Sequence, residues 1–300
     1  MPNDSKNRTI VTHSGRFHAD DCFAVATLLI LLESRGETAT IVRSRDASVI
    51  QKGDFVVDVG GVYDESRNLF DHHQEGGAGK RENGIVYASF GLVWKKFAKE
   101  LSGSDDVAAL LDGKLVQGID AIDNGVEFYE VEPEAPEPYL PDNLVSAFLP
   151  TWKEERNIDE AFTEAVGIAK RLLAREIIKT KDKLEAFAIV EKAYSESKDK
   201  RLLILDKNYP WQEVADKHSD ILFVVKPGDG NWHALAARKN LYKFENRLDF
   251  PKEWAGKRDQ DLAAASGVSD AVFCHNNLFI AVARSKEGAV SLANKALGNV

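Results

Sequence analysis

A mostly parallel α/β sheet with helices on both faces, followed by a smaller C-terminal α/β domain, is the fold class that three features of the chain predict. Short runs rich in Val, Ile and Phe alternate with longer helical stretches in the first half. A stretch rich in Pro and Glu then interrupts the pattern, and a second set of strands follows a long helix of mixed charge. At 300 residues, 44% hydrophobic and 29% charged, the chain can bury a large core and exceeds the size of one ordinary domain.

The elements follow in order. "RTIVTH" (8–13) is a β-branched strand ending in polar residues, and "ADDCFAVATLLILLESRG" (19–36) is a helix with carboxylates in its first turn and Gly36 as its stop. "TATIVRSR" (38–45), "DFVVDVGG" (54–61) and "NLFDHH" (68–73) are strands bounded by turn formers, and helices are expected at about 84–101 and 105–122. The Pro- and Glu-rich "GVEFYEVEPEAPEPYLP" (125–141) suits a linker, and a helix is expected over about 157–198. "RLLILD", "DILFVVKP", "WHALAAR", "AVFCHN" and "LFIAVARS" supply the second set of strands, with helices at "PWQEVADKH" and "KEGAVSLANKAL". The expected division is residues 1–130 as a metal-binding catalytic domain, 131–200 as linker and connecting helix, and 201–300 as a substrate-binding α/β domain.

Several classes are disfavoured. A net charge of −9 argues against coating duplex DNA by phosphate neutralisation, although a nucleic-acid enzyme with bound cations stays open. The longest apolar run, "AVATLLILL" (24–32), is too short to span a bilayer, and the first residues lack the pattern of a signal peptide, so a cytoplasmic protein without a membrane partner is expected. Cys22 and Cys274 form no CxxC pair and are expected to be buried thiols.

In parallel sheets, ligands gather beyond the carboxyl ends of the strands. The strand ends carry the chain's scarce chemistry: His13, His18, Asp20 and Asp21 after the first, Asp58 in the third, Asp71, His72 and His73 after the fourth, with Asp120 and Asp123 at a helix end. Each has an ordinary reading alone, since Asp20 or Asp21 can favour a helix N-terminus and Asp58 can cap a turn. Together, mixed imidazole and carboxylate ligands suit Mn²⁺, Zn²⁺, Co²⁺ or Fe²⁺ better than Ca²⁺. They exceed what one tetrahedral ion needs, and two ions ~3.5 to 4 Å apart, bridged by a carboxylate, would use them in phosphoryl transfer.

"DHH" after a strand, the upstream His and Asp loop, an isolated Asp after a Val-rich strand and a later "DNG" resemble the DHH phosphoesterase superfamily. More closely, "THSGRFHADD", "VVDVGGVYD", "FDHHQ", "GIDAIDNG", "FENRLDFPKEWAGKRDQDL" and "SGVSDAVFCHNNLFIAVARSKEGAVSLA" resemble the melanocyte-proliferating-gene family over nearly the whole chain. The resemblance implies a DHH-like catalytic domain and two divalent ions, Mn²⁺ foremost, with Mg²⁺, Co²⁺ or Zn²⁺ as alternatives. It implies His13, His18 and Asp58 on one ion, and Asp20, Asp58, His72 and Asp123 on the other. His73 would face the scissile phosphate, and Asp71 would orient a neighbouring histidine; Asp21 and Asp120 would stand outside the ligand set. This chain departs from the superfamily pattern at His18, which stands where an aspartate is usual and makes the site less anionic.

The activity implied is 3′-to-5′ exonucleolytic hydrolysis of RNA or short oligonucleotides. The alternatives are hydrolysis of a small phosphorylated metabolite or cyclic dinucleotide, and a non-catalytic regulatory protein that binds metal and nucleotide. Arg45, beside Arg43, and the group Arg247, Trp254 and Arg258 are candidate phosphate and base grips, with surface charge and core packing as the competing readings. "GGAGKREN" (76–83) lacks the required P-loop residues and reads as a mobile loop beside the metals. Oligomeric state is open, a homodimer being one option.

Overall fold

A computed structural model describes residues 6–126 and 134–298. Residues 127–133 of the expected linker at 125–141 lie outside the described residues. The chain divides into two compact units, Met1–Lys181 and Asp182–Val300. The division falls inside one long helix, neither at the Pro-rich stretch nor at residue 200.

The first unit runs β1 (Asn7–Thr12), α1 (Ala19–Ser34), β2 (Thr38–Arg43), α2 (Ala47–Ile50), β3 (Phe55–Val57), β4 (Tyr63–Asp64) and β5 (Leu69–Phe70). Next come α3 (Ser89–Ser102), α4 (Asp105–Leu111), a π-helical segment Asp112–Val116, α5 (Gln117–Asp123) and α6 (Pro141–Ser146). The long helix α7 (Ile158–Glu196) begins here and ends in the second unit. Helix α3 starts five residues later than expected, and β4, α2 and α6 are short elements with no clear sequence signal.

The sheet order is β2-β1-β3-β5-β4, parallel except for the antiparallel edge strand β4. Register decides where the chemistry falls. Thr12 pairs with Val57 and Val57 with Phe70, so the residues that follow, His13, Asp58 and Asp71, leave the sheet side by side at its carboxyl edge. The order turns at β1, whose two neighbours are β2 and β3, and such a switch opens a crevice for ligands.

Strand alternation places Val11, Val56 and Leu69 against Val49 and Ile50 beside α2, while Phe55 and Phe70 meet Phe97 of α3 on the opposite face. Helix α1 is apolar almost all round because it is internal: it packs against α3, α5 and α6 as well as the sheet. Each large side chain buried there, such as Phe23 or Leu28, contributes about 1.5 to 3 kcal/mol.

The second unit contains the end of α7, β6 (Leu202–Ile204), α8 (Gln212–Lys217), β7 (Phe223–Gly228) and β8 (Asn231–Ala236). It continues with α9 (Asp259–Ser266), β9 (Ala271–Cys274), β10 (Ile280–Ala283) and α10 (Lys286–Ala296). Its five-stranded sheet, β6-β7-β8-β10-β9, equals the first in strand number and is antiparallel beyond β6 and β7. One face packs Phe223, Phe250, Trp254 and Leu292, and the other Val190, Trp211 and Val214. Helix α9 is the element of this unit that the strand-rich pattern hid.

Gly91 shows how closely the helices approach in the first unit. A Cβ there would lie 1.9 Å from Asp120 Oδ2 of α5, which already accepts a bond from Arg81. Gly91→Ala is expected to lower unfolding free energy in urea by roughly 2 to 4 kcal/mol, since the displaced carboxylate loses buried partners. Gly113→Ala, whose Cβ meets nothing within 4 Å, serves as the neutral control. Equal urea midpoints for the two variants would contradict the packing described.

Candidate metal centre

Asp58 is the hub of the carboxyl edge. Its backbone adopts φ 54°, a left-handed conformation that aspartate tolerates better than most residues, and this turns the chain sharply out of β3. His13 Nε2 lies 3.3 Å from Asp58 Oδ2, while His72 Nε2 and His73 Nδ1 each lie 3.4 Å from Oδ1. Ser89 Oγ at the start of α3 donates to the same oxygen at 3.3 Å. Three imidazoles therefore share one carboxylate that is 4% exposed.

The remaining residues close around this hub. His13 Nε2 also faces Asp21 Oδ2 at 3.2 Å, and His72 Nε2 faces Asp123 Oδ2 at 3.1 Å. Ligand atoms of His13, His18 and Asp58 lie within 4.8 Å of one another, as do those of Asp58, His72 and His73, and of Asp20, His72 and Asp123. All six residues expected to hold ions are brought together. Asp58 belongs to the first two groups, and His73 reaches ligand distance as well. His13 Nδ1 meets the Ser14 carbonyl at 3.2 Å, which as an acceptor fixes the proton on Nδ1 and leaves Nε2 facing the carboxylates.

Asp71 stands behind the cluster. Its Oδ2 accepts from Gly61 N–H at 2.5 Å, and its Oδ1 accepts from His73 N–H at 3.0 Å and faces His73 Nδ1 at 2.8 Å. A carboxylate only accepts, so the bond places a proton on Nδ1 and turns Nε2 away from Asp71. The His73 side chain is 62% exposed, in contrast to His13 and His72, which are buried.

Helix α3 supplies a support that its own sequence conceals. Ala88 precedes it and cannot cap, so the first amides find partners elsewhere: Ser89 and Phe90 N–H donate to Asp20 at 3.0 and 2.7 Å, and Gly91 N–H donates to Asp120 at 3.0 Å. Asp120 also binds Arg81, which pairs with Asp112 and lies over the Tyr87 ring at 4.2 Å. This explains why Asp123, and not Asp120, faces His72. Arg81 is the structural residue that sequence reasoning missed, and it ties the expected mobile loop to α5.

The candidate grips separate. Arg45 is exposed and reaches the Ser14 carbonyl at 3.4 Å, beside the loop that carries His13. Arg43 is committed to Asp159 at 2.5 Å and the Gly15 carbonyl at 2.6 Å. In the second unit, the Arg247 guanidinium donates to the carbonyls of Ala215, His218 and Ile221. Trp254, 2% exposed, packs beside Phe250. Packing thus replaces substrate contact for Arg247 and Trp254, because neither offers a free face. Arg258 is exposed, with its guanidinium over the Phe273 ring at 4.5 Å.

Electrostatics show what the pocket lacks without a cation. Burial works against protonation of His13, yet Asp21 and Asp58 outweigh it and push the imidazole up to about 10. Burial likewise opposes a raised value at His72, but the flanking carboxylates push it up to about 11. Burial also opposes ionisation of Asp58, and the two histidines nevertheless hold it below the usual carboxylate range. Asp20 moves upward through burial and then through the charges of Asp123, Asp58 and Asp120. Asp21 Oδ2 and His72 Nε2 are buried at ion-pair distance from His13 and Asp123 but without the alignment of a hydrogen bond. Converging, poorly aligned donor atoms among excess carboxylates fit divalent cations.

Sheet and cluster define an α/β protein with a candidate cation centre of histidines and carboxylates at the carboxyl edge of a parallel sheet. The chain belongs to the MYG1 family: the sequence model MYG1_exonuc, described as "Uncharacterised protein family (UPF0160)", matches residues 9–297. It is 35% identical over 322 residues to the MYG1 protein of Dictyostelium discoideum, covering 96% of each chain. It is 31% identical over 325 residues to the MYG1 exonuclease of Homo sapiens, covering 96% of this chain and 85% of that one. Among solved structures, RecJ from Thermus thermophilus in complex with Mn²⁺ aligns over 97% of this chain and 52% of its own at 12% identity. Its TM-score of 0.29 is too low to carry an argument.

Because folding raises the proton affinity of His13 and His72, the stability they contribute is complete below the free-histidine value of ~6.5 and is lost as pH rises toward about 10 to 11. Chelated protein is expected to melt progressively lower across that window. Saturating Mn²⁺ should flatten the slope, and calorimetry in buffers of different ionisation enthalpy should record proton release on Mn²⁺ binding near pH 7. A melting temperature that rises with pH in the chelated protein would contradict this electrostatic balance.

Proposed function

We propose that this chain is a divalent-metal-dependent phosphodiester hydrolase that removes nucleotides from the 3′ end of RNA or short oligonucleotides. The observation that carries the reading is the sharing of buried Asp58 by His13, His72 and His73, with further carboxylates on both sides. The human relative's name, MYG1 exonuclease, supports the same class of chemistry.

His13, His18 and Asp58 would hold one ion, and Asp20, Asp58, His72 and Asp123 the other; the mixed nitrogen and oxygen donors suit Mn²⁺, Zn²⁺, Co²⁺ or Fe²⁺, and the family resemblance puts Mn²⁺ foremost. Bound ions supply Lewis acidity toward water and phosphate oxygens. The chain's own contribution lies in orientation and proton control. Helix α3 fixes the Asp20 carboxylate through two amides, so its lone pairs toward His72 and Asp123 need no rearrangement. Asp71 fixes the His73 tautomer, leaving Nε2 to meet a phosphate oxygen or leaving group. Arg45, exposed beside the same loop, is placed to attract the phosphodiester backbone.

The test is hydrolysis of a 5′-labelled RNA by chelated protein resupplied with Mn²⁺. Wild type is expected to give a ladder shortening from the 3′ end. His73→Ala should slow it roughly 10²- to 10⁴-fold while retaining Mn²⁺, and Asp58→Ala should lose both cutting and Mn²⁺ binding. Intact RNA with wild type, or a ladder that survives Asp58→Ala, would remove the reading.

A further inference from the structure

In the second unit, a hairpin loop and the cavity it walls combine chemistry that the fold does not use. Residues 238–246, "RKNLYKFEN", carry three bases and one acid in a chain whose net charge is −9, while Arg247 beyond them is held by backbone carbonyls. The loop is closed by Lys239 N–H to the Glu245 carbonyl at 2.8 Å and Arg247 N–H to the Ala237 carbonyl at 2.8 Å. Its tip is set by Asn240, whose side-chain oxygen accepts from Tyr242 and Lys243 N–H at 3.0 and 2.9 Å. This ordered tip turns two aromatic rings outward: Tyr242 is 92% exposed and Phe244 89%.

Two exposed rings two residues apart, with bases interleaved, differ from a single exposed apolar residue and offer adjacent planes to a partner. Beneath one of them, the Arg238 guanidinium lies 4.2 Å from the Phe244 ring centre, which leaves the other ring face free. Lys239 pairs with Glu245, whereas Lys243 has no ion-pair partner among the described residues.

The same loop walls a cavity of about 320 Å³, to which it contributes Arg238, Asn240, Leu241 and Asn246. Trp211, Lys226 and Phe279 are among its other lining residues. Trp211 is 5% exposed and Phe279 37%, so the cavity has aromatic walls, one of them open. Such walls with a cation beside them suit a planar heterocycle that carries a phosphate. Volume near the lower end of ligand cavities, ~300 Å³, suits one nucleoside.

We infer that this loop and cavity form a binding site for single-stranded nucleic acid, with one base in the cavity and its neighbours stacked on Tyr242 and Phe244. Interleaved rings and cations match a flexible polyanion bearing stackable planes. Duplex does not fit, because its bases are already stacked. The inference rests on the nucleic-acid reading of the preceding subsection and adds a site that works without metal.

The test is fluorescence anisotropy of a labelled single-stranded oligouridine with the full chain in excess chelator, so that binding is read without turnover. Tyr242→Ala/Phe244→Ala is expected to weaken binding roughly 10-fold or more. Lys243→Glu should weaken it and make the salt dependence shallower. Phe279→Ala should weaken a uridine mononucleotide as well. Duplex of the same length should compete poorly.

If wild type cuts RNA but the double variant binds it as tightly as wild type does, the site is overturned and the hydrolase stands. If the chelated protein binds single strands through these rings yet never cuts RNA, the site stands and the hydrolase falls. Wild type that ignores RNA in chelator but sediments with anionic vesicles, or loses a self-association when the rings are removed, overturns the site in favour of a lipid or protein surface.

Discussion

The burial of Asp58 between three imidazoles is the constraint on which the first unit depends. A carboxylate this enclosed stays ionised only if positive charge stands beside it, and the protein provides it either as protons on His13 and His72 or as a cation in their place. That requirement explains the short strands. β3 and β5 have three and two residues, enough to fix register with β1 and with each other, after which each chain turns at once into the site. The left-handed φ at Asp58 belongs to the same economy, since an extended backbone there would carry the carboxylate onward past the edge.

Support for the hub comes from a helix that begins without a cap of its own. α3 directs its first amides at Asp20 and Asp120, satisfying the helix end and immobilising two carboxylates through one arrangement. Burial pushes Asp120 up to about 7, although Arg81 and the Gly91 amide pull the other way, so this carboxylate is closely balanced between its two protonation states. Arg81 matters for that reason. Its contacts with Asp112 and Asp120 link the loop over residues 76–83 to the helical run from α4 to α5, whose π-helical segment carries Asp112.

Alternating strands and helices and the ends of β1, β3 and β5 were legible because they depend on local pattern and on residue types that are costly to bury without purpose, whereas Asp123 was set before Asp120 only through the family resemblance of "DNG". Other features were not legible. Trp254 and Arg247 have the composition of a nucleic-acid grip, and only tertiary packing shows that one fills a core and the other serves backbone carbonyls. The cap of α3 was illegible for a related reason: its acceptors lie 69 to 70 residues away at Asp20, beyond any local motif. The two-residue strand β4 is too short for periodicity to register, whereas β5 falls in an apolar run, Leu69 and Phe70, bounded by turn formers.

Charge imposes an order on the proposed reaction. Asp21, Asp58 and Asp123 outnumber the protons that His13 and His72 carry, so without cations this pocket repels phosphate while it attracts metal. In the proposed reaction a phosphodiester therefore enters this pocket only after cations are in place. A net charge of −9 extends the same repulsion over the molecule as a whole, and local cations with stackable rings are then the means by which such a protein can retain a single strand. The two proposed sites therefore differ in what they ask of an acidic chain: stacking on rings tolerates net negative charge, whereas attack on a phosphodiester needs positive charge at the reacting group.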